Sequence, residues 1–228
     1  GSTAVGRAVM AAAAVHGHRT QLELGGKAPF VVFDDADLDA AIQGAVAGSM
    51  INTVQDCTAA TRAIVARDLY DDFVAGVGEV MSTMVVGDPG DPDTDLGPLI
   101  TSAHRAKVAE MVARAPGEGG RIVTGGYAPD GPGSFYRPTL VADVDERSEI
   151  YRDEIFVPVL TVRSFTDDDD AIRITRVLDA KTPGPSVQLA APETDVATGF
   201  NHTCCGACST QTLHCPVHGK TLGCRPQI

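Results

Sequence analysis

Apolar positions recur with a helical period over residues 38–46, where Leu38, Ala41, Ile42, Ala45 and Val46 share one face. The preceding Asp35-Ala36-Asp37 supplies a capping residue and an acidic first turn. Strand-like apolar runs flank this helix, at residues 30–33 and at Arg62–Ala66. A second amphipathic helix starts near Tyr70 and buries Phe73, Val77, Val80, Met81 and Met84; a third, over 104–114, buries Val108, Met111 and Val112. Further strands are expected at 121–124, 139–144 and 159–162, and a short helix opens in the acidic run 167–170. Residues 88–95, rich in Pro, Gly and Asp, form a loop by composition. Strands alternating with helices predict an α/β domain with a mostly parallel sheet. After about Ile174 neither period persists, and the remainder reads as irregular.

Charge narrows the range of functions. Thirty acidic residues against eighteen basic ones give a formal net charge of −12, which disfavours a grip on nucleic acid. No window approaches the roughly 20 apolar residues of a membrane span. The chain does not open on a charged segment followed by an apolar stretch and a cleavage site. Cysteine usage is uneven. Cys57 stands alone in the first 200 residues, while Cys204, Cys205, Cys208, Cys215 and Cys224 crowd the end. The first part therefore reads as a reduced, cytoplasmic protein.

Three segments could carry chemistry. Gly1-Ser2-Thr3-Ala4-Val5-Gly6 ahead of the helix-forming stretch 7–15 offers free backbone amides to a phosphate, though taken alone a plain helix cap is the preferred reading. In Leu22-Glu23-Leu24-Gly25-Gly26-Lys27, a carboxylate between leucines suits a general base, and the glycines permit close approach; an exposed strand-end Glu is the alternative. In Asn52-Thr53-Val54-Gln55-Asp56-Cys57-Thr58, the thiol follows polar loop residues, where amide donors could serve a thiolate or an oxyanion. A small buried thiol is the alternative there.

The combination is more specific than its parts. The Gly-Ser-Thr turn, the Glu-Leu-Gly-Gly-Lys, a cysteine 34 residues after Glu23, and Arg152-Asp153-Glu154-Ile155-Phe156-Val157-Pro158-Val159 occur in one order. Over about residues 1–174 this resembles the aldehyde dehydrogenase superfamily. Gln55-Asp56-Cys57-Thr58-Ala59-Ala60 and Asp95-Leu96-Gly97-Pro98-Leu99 look most like its bacterial γ-aminobutyraldehyde dehydrogenases. The resemblance implies that residues 1–24 end an NAD-binding domain, 25–174 form an incomplete catalytic domain and 175–228 are an unassigned tail. It also implies that Cys57 attacks an aldehyde carbonyl, that hydride passes to NAD or NADP, and that Glu23 activates the water that releases the acid. Glu154 would bind the nicotinamide ribose and Phe156 would pack near the nicotinamide ring. Gly1, Ser2, Thr3, Gly6 and Leu24 would line the rest of the cofactor site. A small aldehyde, with an aminoaldehyde such as 4-aminobutanal preferred through Asp56, is the implied partner. Family members are homo-oligomers, through a segment missing here.

Departures accompany the matches. Val54 and Val157 stand where the family has glycine, which adds bulk and removes conformational freedom near Cys57 and Phe156. The Asn-Asp-Thr-x-Tyr-Gly-Leu continuation is absent after Ile174. A catalytically inactive remnant is therefore a rival expectation. In the tail, Cys205-x-x-Cys208 and Cys215-x-x-His218 have zinc-ligand spacing, but only six residues separate the pairs. The blander account, an out-of-frame or unrelated tail, is preferred, so no metal is expected.

Overall fold

Strand β2 (Arg62–Ala66) is buried at every position, and so is β1 (Pro29–Val32), which explains the apolar runs that follow Arg62 and that make up β1. In the computed structural model they are the heart of one sheet. The structure describes residues 1–175 and, beyond them, only the strand segments Gln188–Leu189 (β6), Thr212–His214 (β7) and Thr221–Gly223 (β8). The paired cysteine and histidine spacings of the tail lie outside the described side chains.

With β3 (Arg121–Thr124), β4 (Thr139–Ala142) and β5 (Val159–Phe165), the sheet runs in the order β3-β4-β5-β2-β1-β6. Within this sheet only the β3–β4 pair is antiparallel; β7 and β8 form a separate antiparallel pair. Alternate residues face opposite layers. Phe30, Val32, Ala63, Val65, Leu160 and Val162 pack against helices α2 (Leu38–Met50) and α3 (Tyr70–Thr83). Val31, Ile64, Val141 and Val159 pack against α4 (Ser102–Arg114), α5 (Glu149–Arg152) and α6 (Asp168–Thr175). Each fully buried side chain of this kind contributes about 1.5–3 kcal/mol.

The expected helices form, with corrected ends. Of the two aspartates, Asp37 is the one that caps α2, its carboxylate accepting from the Ala40 N–H at 2.9 Å. Thr101 caps α4 through His104 N, so that helix begins before residue 104. Val80 and Met84 are only partly buried beside α3's core face. Strand β4 stops short of residue 144 because Asp143 turns left-handed at φ 61°, its N–H donating to the Tyr70 hydroxyl at 2.9 Å. Helix α5 was not legible, since four residues cannot display a period.

Candidate active site

The candidate residues lie on the chain segments that enter three neighbouring parallel strands, β1, β2 and β5. Glu23 to Lys27 leads into β1, Cys57 precedes β2 and Glu154 to Phe156 precede β5. Register sets Pro29 beside Arg62 and Arg62 beside Thr161, so the three entries lie at the same end of the sheet.

Helix α1 (Thr3–Val15) packs next to the β1 entry. Gly1 N donates to Glu23 O at 2.7 Å, and Gly25 N donates to Gly1 O at 3.1 Å. Helix and segment approach closely at Gly6, where an added Cβ would lie 2.8 Å from Leu24 Cδ1. The Ser2 hydroxyl accepts from Val5 N at 3.3 Å, an N-cap bond. Ser2 and Thr3 thus open a 13-residue helix at the same place as Glu23 and Leu24.

Glu154 is half-buried against the two glycines. Its Oε1 accepts from Gly26 N at 3.1 Å, and a Cβ on Gly25 would fall 1.9 Å from Oε2. An added Cβ would displace that carboxylate from where it stands. Burial raises the pKa of Glu154, opposed by the Gly26 bond, by Lys27 and by the terminal amino group. Phe156, two residues on, holds a left-handed φ of 61°, and Val157 behind it is fully buried.

Lys27 was not anticipated. Its side chain is 3% exposed, and Nζ has no hydrogen-bond partner among the described residues. Burial, reinforced by repulsion from Arg62, pulls its pKa down to about 7 against the attraction of Glu154 and Asp153. Arg62 is itself buried. It donates to Ile174 O and Thr175 O, at 3.5 and 3.1 Å, and stacks over the Tyr151 ring. The guanidinium thereby caps the end of α6. A lysine placed directly ahead of a fully apolar strand was the available signal for this buried cluster.

Cys57 is exposed, in a turn between a kinked helical segment (Ile51–Val54) and β2. Asn52, Thr53 and Val54 hold φ of 49°, 53° and 60°, left-handed values that a β-branched residue rarely adopts. Position 54, where family glycine was expected, does require positive φ. Asp56 Oδ1 accepts from both the N–H and the hydroxyl of Thr58, each at 2.7 Å, and these bonds hold its carboxyl below the usual range. Its nearest role is therefore in the turn. Glu23 is exposed rather than enclosed by Leu22 and Leu24, because the segment ahead of β1 runs along the surface.

The aldehyde dehydrogenase family model matches residues 1–176, and the chain belongs to that family. It is 48% identical over 174 residues to an NADP(+) succinate-semialdehyde dehydrogenase of Mycobacterium leprae, covering 76% of this chain and 38% of that protein. A betaine aldehyde dehydrogenase of Sinorhizobium fredii is 42% identical over 175 residues, covering 75% of this chain and 36% of that protein. Among solved structures, betaine aldehyde dehydrogenase of Staphylococcus aureus in complex with NAD+ superposes with a TM-score of 0.74 at 32% identity, over 78% of this chain and 36% of that one. The chain thus spans under two fifths of the length of these relatives. No described helix is long and apolar enough to cross a membrane, and no described group of three or more His, Cys, Asp or Glu could hold a metal ion.

Proposed function

We propose that residues 1–175 supply the nucleophile, the base and part of the cofactor site for dinucleotide-dependent oxidation of an aldehyde to its carboxylic acid. What supports this reading is that the Glu23, Cys57 and Glu154 segments each lead into one of three neighbouring parallel strands at the same end of the sheet, with Glu154 bonded to Gly26. Cys57 Sγ adds to the carbonyl carbon, and the backbone N–H of Cys57 receives the oxyanion. Loss of hydride from that carbon leaves a thioester. NAD or NADP, when bound, supplies the acceptor for the hydride. Glu23 takes a proton from water, the resulting hydroxide adds to the thioester carbonyl, and the Cys57 thiolate departs as the acid is released.

The residues present fit such a cofactor. Glu154, a carboxylate pressed on a glycine cradle, suits a ribose diol, whose hydroxyls donate to it. The start of α1, at Ser2 and Thr3, offers amide donors to a pyrophosphate, and Gly6 lets that helix end lie close against Leu24. Phe156 suits the nicotinamide ring. Residues 1–24 accordingly belong with the dinucleotide domain and 25–174 with the catalytic one.

The substrate class proposed is an aldehyde bearing a cation, 4-aminobutanal being the simplest example. Asp56 stays ionised next to Cys57. A charge pair at about 4 Å is worth roughly 4 kcal/mol at an effective dielectric near 20, before desolvation. A second reading, a folded but inactive site, draws on the left-handed Val54 and the buried Val157. The test joins residues 1–175 to the flanking segments of the Mycobacterium leprae relative and follows reduced dinucleotide formed from 4-aminobutanal. Turnover abolished by Cys57→Ala and sharply slowed by Glu23→Gln is expected. Turnover indifferent to Cys57→Ala overturns the proposal, and a folded chimera with no turnover favours the inactive reading.

A further inference from the structure

The three left-handed residues ahead of Cys57 do not hold themselves in place. Asn52 closes the turn locally, with its Nδ2 donating to Gln55 O at 3.1 Å. Asp56 adds its bonds to Thr58, while the side chains of Thr53 and Gln55 reach out of the turn to the segment 96–100. Thr53 Oγ1 accepts from Gly97 N at 3.2 Å. Gln55 Oε1 accepts from Ile100 N at 3.1 Å, and Gln55 Nε2 donates to Pro98 O at 3.4 Å. That segment is itself rigidly rooted. Leu96 is 1% exposed in the core under α2 and α3, while Leu99 is 3% exposed in the core under α4. Its flanks are pinned by Leu96 N to Val85 O and by Leu99 N to Ser134 O, both at 3.0 Å.

We propose that Gln55 and Thr53 are positioning residues that clamp the nucleophile turn to a bracket, residues 96–100, anchored in both cores. This rests on the reading of Cys57 as the nucleophile. A turn of three left-handed residues, two of them β-branched, relaxes toward ordinary backbone angles unless its surroundings over-determine it. The bracket supplies that constraint from outside the turn. Gln55 is two residues from Cys57, so its side chain fixes where the thiol emerges without touching a reacting atom.

The test uses the full chain. Amide hydrogen exchange over residues 55–60 and the iodoacetamide rate at Cys57 are both resolved by peptide mass mapping, which separates Cys57 from the tail cysteines. Gln55→Ala is expected to speed exchange by about tenfold and to slow alkylation of Cys57. Gln55→Glu keeps the acceptor for Ile100 N and should fall between that variant and the unmodified chain. Thr53→Val, nearly isosteric, should act in the same direction and replaces Gln55→Ala if that variant does not fold. Tyr70→Phe, which removes the hydroxyl's bonds to Asp143 and keeps the ring in place, controls for lost stability away from the bracket and should move neither readout. Unchanged exchange in Gln55→Ala and Thr53→Val overturns the clamp. If Cys57 of the unmodified chain alkylates no faster than free cysteine, the nucleophile reading fails instead. Exchange then decides the clamp alone, faster exchange supporting it and unchanged exchange overturning it.

Discussion

Replacing Lys27 with methionine should stabilise the protein, by an amount that fades as pH rises. An amine that ordinarily titrates at 10.5 is held near 7 by burial. Below pH 7 the folded state must carry a buried ammonium, at a cost of about 5 kcal/mol relative to an unshifted lysine. Attraction to Glu154 and Asp153 does not offset that cost, since the net displacement is downward. Between pH 7 and 10.5 the unfolded chain binds this proton and the folded chain releases it, so stability rises with pH across that window. Above 10.5 both states are neutral and the cost is gone. Methionine preserves the length of the side chain without the charge. At pH 7 the expected gain is about 4 kcal/mol, or roughly 8–16 °C in melting temperature for a chain of this size. The assay is thermal unfolding of Lys27→Met against the unmodified chain at intervals from pH 6 to about 10.5. The difference in melting temperature should be largest at pH 6–7 and shrink steadily above it. A difference that stays constant with pH, or a destabilised variant at pH 7, refutes the reasoning.

Gly25→Ala should destabilise the chain by about 1–3 kcal/mol, because its Cβ lands on the Glu154 carboxylate. In a urea-unfolding double-mutant cycle, most of that loss should vanish in a Glu154→Ala background, and an undiminished loss would place the strain elsewhere. At position 54, where φ is 60°, Val54→Gly should be more stable than Val54→Ala by about 1 kcal/mol, the reverse of the ordinary order; urea midpoints check this. Asp56→Asn in the catalytic chimera should lower kcat/KM for 4-aminobutanal relative to butanal, and an unchanged ratio would confine Asp56 to its bonds with Thr58.

The fold was legible where periodicity is long. Helices α2, α3 and α4 each present two or more turns of apolar residues, and β1 and the body of β2 after Arg62 are apolar runs, so their positions follow from pattern alone. Helix α5 is shorter than one period, and the end of β4 depends on a bond from Asp143 to Tyr70, 73 residues away in sequence. The candidate site divides the same way. Cys57, Glu23 and Glu154 were visible as ordered motifs. The burial of Lys27, the support of Arg62 from the end of α6 and the bracket that holds Gln55 arise from contacts between distant segments. The family glycine at position 54 marks a place where conformational freedom matters, and the left-handed φ that Val54 adopts there is visible only in the structure.

The central claim is that Cys57 is an acyl-accepting nucleophile served by Glu23, and an activated ester tests it without any cofactor. The chain is mixed with 4-nitrophenyl acetate, quenched at intervals and mapped by peptide mass spectrometry. The account predicts that acetyl appears on Cys57 ahead of every tail cysteine. It further predicts that Glu23→Gln retains the label longer, because water is no longer activated to remove it. Acetyl that appears on the tail cysteines as fast as on Cys57, or that leaves Cys57 at the same rate in Glu23→Gln, would contradict it.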